Sequence, residues 1–205
     1  MTGRNTLIIM AKAPTIGAGK TRLAADIGKV RAATIARQLL LKTLTLAQDT
    51  RWRTVLWVAD SGPAASRFWP KDMDTRRQIR GDLGERLIEA FAQSGAGPVC
   101  VIGTDAPAIT PGDIDQAFRT LRRADAVLGP AVDGGFWLFG LSPARSGHRR
   151  RAERAFAKVR WSTQNAAEDV CSNVHHMTLK RLRTLTDIDD GTSYSAWATR
   201  LSNGR

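Results

Sequence analysis

Short, continuously apolar runs separated by stretches of helical period constrain this chain more than any other feature. Thr6-Leu7-Ile8-Ile9-Met10-Ala11 is apolar almost throughout and stops at Lys12-Ala13-Pro14. Residues 55–59, 99–103, 126–131 and 136–140 repeat the pattern. Runs this short are strands rather than helices, and a strand with no polar alternate positions is buried on both faces, as in a parallel sheet. Between them lie helical periods. Leu23, Ile27, Ile35, Leu39, Leu40, Leu44 and Ala47 recur at three- and four-residue spacing, with a break at Gly28. Leu87, Ile88 and Phe91 share one face of a helix over 83–93. Thr110-Pro111-Gly112-Asp113 predicts an N-cap, Pro at the first helical position and an acid at N3. Further helices are expected over 164–174 and 193–201, a helical turn over 64–69, and extended segments near Gln78-Ile79 and over 177–185. The alternation predicts one α/β domain over residues 1–205, a three-layer sandwich around a mainly parallel sheet, with ligands beyond the carboxyl ends of its strands.

With 205 residues, 42% of them hydrophobic and 24% charged, the chain can bury a large core and has the composition of a globular protein. No apolar run approaches the ~20 residues of a bilayer span, and no h-region or cleavage site marks a secretory signal, so a cytoplasmic location is expected. Cys100 and Cys171 form no disulfide framework or metal-ligand spacing and read as reduced thiols. Charge is the unusual quantity. The net value is +12, and 24 of the 31 basic residues are arginine. An anionic partner would account for it: a nucleotide phosphate, or nucleic acid bound through the basic stretch 145–160. An arginine-rich composition without function gives the same number.

Several segments carry candidate chemistry. Lys12-Ala13-Pro14-Thr15-Ile16-Gly17-Ala18-Gly19-Lys20-Thr21-Arg22 joins a strand to a helix and combines glycines with three cations, as a phosphate loop does; the alternative is a solvated turn. It is not Walker A, because G-x-x-x-x-G-K-[ST] needs glycine where Pro14 stands. Gly103-Thr104-Asp105-Ala106-Pro107 ends the strongest central strand, where one carboxylate suffices to hold magnesium against substrate phosphates, although an Asp there also caps turns. Asp133-Gly134-Gly135 between two apolar runs reads as a hairpin turn or as a close approach to ligand, the latter favoured by Phe136-Trp137. Gly81-Asp82-Leu83-Gly84-Glu85 reads as a helix start, and Trp161-Ser162-Thr163 as a cap. Asp187, Asp189 and Asp190 crowd three carboxylates that repel one another unless a cation lies nearby; a solvated turn is the other reading.

In this order the segments resemble a bacterial family of glycosyltransferase-A-like fold, whose pattern runs K-x-P-x-x-G-x-x-K-T-R-L, Q-x-x-G-D-L-G-x-R, G-[ST]-D-x-P, G-P-A-x-D-G-G-[YF], W-S-T and D-[IV]-D. Here these are Lys12 to Leu23, Gln78 to Arg86, Gly103 to Pro107, Gly129 to Phe136, Trp161 to Thr163 and Asp187 to Asp189, spanning roughly residues 6–190. The opening is also similar to that of phospholactate guanylyltransferases. Two departures stand out: Phe136-Trp137 replaces tyrosines, and Asp190-Gly191-Thr192 replaces an acid-containing run.

The resemblance implies a nucleotide-diphospho-sugar transferase fold and a metal-dependent transferase acting on a nucleotide or nucleotide-sugar and a small acceptor. Glycosyl transfer is the first reading, nucleotidylyl transfer the second and nucleic-acid binding a third. It further implies Mg2+ or Mn2+ held by Asp105, with Asp189 or Asp187 as a second ligand. Asp105, Lys20 and Arg22 would be catalytic. Lys12, Pro14, Gly17, Lys20, Thr21, Arg22, Gln78, Gly81, Asp82 and Thr104 would bind the nucleotide, and Asp133, Gly134, Gly135, Phe136, Trp161, Ser162 and Thr163 the sugar or acceptor.

Overall fold

In the computed structural model, which describes residues 3–17, 19–59, 62–144 and 147–203, the apolar run at the N-terminus forms the strand β1 (Thr6–Ala11). It is flanked by β2 (Arg53–Val58) and β4 (Val99–Ile102), both parallel to it. The short β3 (Thr75–Arg77) pairs with β2. On the other side β4 pairs antiparallel with β6 (Phe136–Leu141), which pairs antiparallel with β5 (Ala126–Pro130), and β7 (Leu179–Arg181) closes that edge parallel to β5. The order is therefore β3-β2-β1-β4-β6-β5-β7. Six strands point one way and β6 alone runs against them, as a mainly parallel sheet requires. The chain winds outward from β1 to β2 and β3, then crosses back to β4, so the sheet changes direction between β1 and β4. Crevices at such switch points, beyond the strand carboxyl ends, hold ligands.

Both sheet faces are covered, which explains the unbroken hydrophobicity of the strands. Leu7, Ile9, Leu56, Cys100 and Ile102 pack on one face with Leu40 and Leu44 of α2 (Lys29–Thr45) and Ile114 and Phe118 of α5 (Pro111–Thr120). Ile8, Val55, Trp57, Val99 and Val101 pack on the other with Leu87 and Phe91 of α4 (Leu83–Ala92), Ala152 and Ala155 of α6 (Arg149–Ala155) and Val170 of α7 (Ala166–Asn173). The predicted break at Gly28 separates α1 (Thr21–Ile27) from α2, with Gly28 at φ +86, where a side chain is strained. A third cluster joins Leu23, Ile35 and Leu39 to Ile188 and to Trp197 of α8 (Gly191–Asn203). The helical turn expected over 64–69 is the four-residue α3 (Pro63–Ser66).

The capping box predicted at Thr110 is present: its hydroxyl accepts from Asp113 N while the Asp113 carboxylate accepts from Thr110 N. Arg183 then donates to both Asp113 oxygens at 2.6 and 2.7 Å, tying the C-terminal segment to α5. The edge strands differ from expectation. β3 ends one residue before Gln78, and β7 covers only three residues of 177–185, because edge strands rich in arginine and lysine carry no apolar run to mark them. Among the described residues no helix is long and apolar enough to cross a membrane.

Candidate active site

A cleft of about 660 Å³ opens at the carboxyl ends of β1 and β4, within the volume range of small-molecule sites. At its floor lies Lys20, whose backbone has left-handed angles (φ +52, ψ +45) at the N-cap of α1. Its side chain is only 9% exposed. The ammonium stands 2.5 Å from Asp105 Oδ1 and 2.7 Å from Asp189 Oδ1, and it donates to the Ile188 carbonyl at 2.6 Å. Arg22 reaches Asp189 Oδ2 at 3.5 Å from a mostly exposed position.

Asp189 arrives from 169 residues away in sequence, and backbone hydrogen bonds explain how. Leu185 donates to the Pro130 carbonyl and accepts from Val132 N, which lays the C-terminal segment beside the end of β5. Ile188 N then donates to the Asp105 carbonyl at 2.9 Å, so the Asp187-Ile188-Asp189 turn is fastened to the end of β4. Asp190 is used differently: its carboxylate accepts from Ser193 N and hydroxyl at the start of α8.

The electrostatics are those of too many carboxylates for one ammonium. Burial and the Asp105, Asp133 and Asp189 charges push the Asp187 carboxyl up to about 7 against the opposing pull of Lys20. Its Oδ1 is buried without a hydrogen-bond partner. Burial, with Asp189 and Asp133 added, also holds Asp105 above the usual carboxylate range although Lys20 pulls it down. Burial alone would lower the Lys20 pKa, but Asp105 and Asp189 outweigh it and keep the ammonium charged. The three carboxylates do not surround one point: among the described residues no three His, Cys, Asp or Glu side chains are arranged to hold a metal ion, and Lys20 fills the space between two of them.

The walls come from other segments of the pattern. Gln78 donates its amide nitrogen to the carbonyls of Trp57 (2.8 Å) and Ala11 (3.3 Å), binding it to the ends of β2 and β1. Asp82 caps α4 in a box with Glu85, and Gly81 at φ +141 lies where a Cβ would strike the Glu85 carboxylate. A Cβ on Gly84 would meet Trp161 Nε1 at 2.9 Å, so this glycine admits the tryptophan onto the helix. Trp161 packs edge-on against Phe136 with centroids 6.2 Å apart. The Asp133 turn is a hairpin turn and a cleft wall together: Gly135 N donates to Asp133 Oδ1, while Gly134, at φ +87, lies so near the Gln164 carbonyl that a Cβ would reach 2.0 Å from its oxygen. Thr163 spends its hydroxyl locally, donating to the Arg160 carbonyl and accepting from Asn165 N.

Lys12, Pro14, Lys20, Arg22, Gln78, Thr104, Asp105, Asp133, Gly135, Phe136, Trp161, Ser162, Thr163, Asp187 and Asp189 all line the cleft. Gly17, Thr21, Gly81, Asp82 and Gly134 do not, and the last three shape the backbone of residues that do. Ala18 of the loop and Arg145 of the basic stretch fall outside the described residues. Phe136 and Trp137 both line the cleft, as the reading of an aromatic pair near ligand expects, but the Trp137 side chain is held by the fold. Trp137 is 2% exposed and donates its indole N–H to the Arg183 carbonyl, and Gly129 is glycine because a Cβ would lie 2.3 Å from that indole. Arg86 and Gln164 also line the cleft and were not foreseen. Arg86 closes the Gln78 to Arg86 segment, whereas nothing in the sequence marks Gln164.

The sequence profile of DUF2064, described as uncharacterized proteins conserved in bacteria, matches residues 41–163, more than half of the chain. The chain belongs to this family. The DUF2064 match takes in the cleft walls but neither the Lys20 loop nor the Asp187 turn. No curated protein matches the chain in sequence. In structure it is similar to a candidate nucleotide-diphospho-sugar transferase from Desulfovibrio desulfuricans G20, at 22% identity over 93% of this chain and 84% of that one, with a TM-score of 0.81. It is similar to Rv0371c from Mycobacterium tuberculosis H37Rv in complex with manganese, at 15% identity over 96% and 98% of the two chains, TM-score 0.58. A third likeness is to CMP:2-keto-3-deoxy-manno-octonic acid synthetase complexed with CTP, at 12% identity over 99% and 100%, TM-score 0.59. At these identities the likeness establishes the fold, one shared by nucleotide-sugar transferases and nucleotidyltransferases.

Proposed function

We propose that the protein is a glycosyltransferase of glycosyltransferase-A type that uses Mg2+ or Mn2+ to transfer a sugar from a nucleotide-sugar to a small acceptor. The observation that carries this reading is the floor of the cleft, where Lys20 lies between Asp105 and Asp189 with Asp187 beside them. A hard divalent cation suits the donor set: oxygen ligands only, an excess of negative charge, and one buried carboxylate oxygen without a partner. Asp105, Asp187 and Asp189 would hold it, after shifts that bring their oxygens to one point. When bound, such an ion neutralises charge developing on a diphosphate leaving group.

The chain's own residues do the remainder. Lys12, Lys20 and Arg22 meet the phosphates and fix the anomeric carbon above the floor. Phe136 and Trp161 form an apolar wall on which a sugar face stacks, and Asp133 stands at the sugar and acceptor end with one oxygen already pinned by Gly135 N. Gln78, immobilised by two strand carbonyls, offers its remaining carboxamide oxygen to the nucleotide.

Nucleotidylyl transfer is the second reading, favoured by three cations in the opening loop, which suit a triphosphate. That advantage is reduced by Lys20 and Arg22 lying against Asp105 and Asp189, which leaves Lys12 as the loop's uncommitted cation among the described residues. The nucleic-acid reading loses support too. Arg149 pairs with Glu89, Arg160 with Asp169, and Arg151 donates to the carbonyls of Ser142 and Asp125, so among the described residues the basic stretch is no continuous free strip. A thermal-shift series in manganese tests the assignment: nucleotide-sugars should raise the melting temperature more than the matching triphosphates. Greater stabilisation by triphosphates would favour nucleotidylyl transfer.

A further inference from the structure

Lys20 is assigned two ligands at once. In the free protein its ammonium has acceptors at 2.5, 2.6 and 2.7 Å, from Asp105, the Ile188 carbonyl and Asp189. Three acceptors use all three N–H bonds of an ammonium. A lysine in that state has no proton left for a phosphate oxygen. A divalent cation entering beside it would meet a like charge in a partly buried site, where screening by salt is weak. Yet one ammonium does not satisfy the site: Asp187 keeps a buried oxygen without a partner beside it. The free protein therefore holds a partial substitute for a doubly charged ion, carried on a flexible four-carbon stem.

Resting on the reading above, we infer that the cleft takes up its divalent cation only together with a polyphosphate. Lys20 keeps Asp105 and Asp189 occupied until a diphosphate draws its ammonium away, and the cation then takes the oxygens that Lys20 releases. The ligand class is thus a cation–diphosphate complex rather than a bare ion followed by a nucleotide. Linkage makes the effect reciprocal: the factor by which diphosphate tightens cation binding equals the factor by which the cation tightens diphosphate binding. Arg22, mostly exposed and 3.5 Å from Asp189, is too loosely held to replace Lys20 in the free state.

The test is a Mn2+ titration of the intact protein, followed by the paramagnetic resonance signal of the free ion, with inorganic pyrophosphate as probe and a protein-free control for Mn2+–pyrophosphate association. Wild type and Lys20→Arg should bind Mn2+ weakly on their own. Lys20→Met should bind it at least tenfold more tightly, and pyrophosphate should raise the Mn2+ affinity of wild type at least tenfold but that of Lys20→Met much less. If wild type alone binds Mn2+ as tightly as Lys20→Met, the inference is overturned while the nucleotide-sugar reading stands. Absence of Mn2+ binding in every protein, with pyrophosphate present and circular dichroism unchanged, overturns the metal-dependent reading and the inference with it. Should Lys20→Met fail to fold, wild type decides: equal Mn2+ affinity with and without pyrophosphate overturns the inference.

Discussion

Lys20 and Arg22 stand two positions apart in one loop, yet the fold depends on them unequally. Lys20 is nearly buried and pairs with two carboxylates, so Lys20→Ala leaves Asp105, Asp187 and Asp189 facing one another unscreened. The metal-free variant should lose on the order of 2 kcal/mol, below the full cost of breaking a buried pair because the cleft admits water. Arg22 is 70% exposed and its ion pair with Asp189 is long, so Arg22→Ala should leave the melting temperature within a degree or two while weakening nucleotide binding. Equal destabilisation of both variants in urea titrations would contradict this division. The chemistry of these residues was legible in the sequence because strand, glycines and cations adjoin. Their partner was not. Asp189 reaches Lys20 through the pairing of Leu185 with Pro130 and Val132 and of Ile188 with Asp105, tertiary contacts that no local spacing announces.

At the level of elements, the turns and helix starts around the cleft work as spacers. Gly84→Ala sets two effects against each other: alanine favours a helix by up to ~1 kcal/mol, but its Cβ would push on the Trp161 indole. These nearly offset, so the melting temperature should change little, while nucleotide-sugar binding weakens and the tryptophan fluorescence shifts. Unaltered binding would show that Trp161 is not a working wall of the cleft. A second element-scale prediction concerns His148 at the N-terminus of α6, fully buried with Nε2 2.8 Å from the Gly97 carbonyl. Burial, helped by Arg151, lowers its pKa below the usual histidine value. A proton therefore binds the unfolded chain more readily, and stability falls as pH drops below about 6.5. His148→Gln should lose less melting temperature than wild type between pH 7.5 and 5.5; an identical loss would assign the acid sensitivity elsewhere. The central strands and both capping boxes follow from apolar runs and N-cap patterns. β3 and β7 do not, since these edge strands lack buried faces, and the close packing of Gly129 on Trp137 of the neighbouring strand is a tertiary contact that no spacing announces.

Across the whole molecule, one sheet gathers residues from the beginning, middle and end of the chain at a single switch point between β1 and β4. The order of apolar runs predicted that architecture, and the reversal of β6 is the feature that periodicity could not show, because a buried antiparallel strand reads like a buried parallel one. Arginines such as Arg183 and Arg160 are used in structural pairs with Asp113 and Asp169, which is why the basic composition alone named no partner. What leaves the cleft when a donor reacts separates glycosyl from nucleotidylyl transfer. Mass-resolved analysis of products from nucleotide-sugars and nucleoside triphosphates, incubated with Mn2+ and wild type or Asp105→Asn, addresses that directly. Release of a nucleoside diphosphate from a nucleotide-sugar, at least a hundredfold slower in Asp105→Asn, is the predicted result; pyrophosphate released from a triphosphate, with nucleotide-sugars left intact, would contradict it.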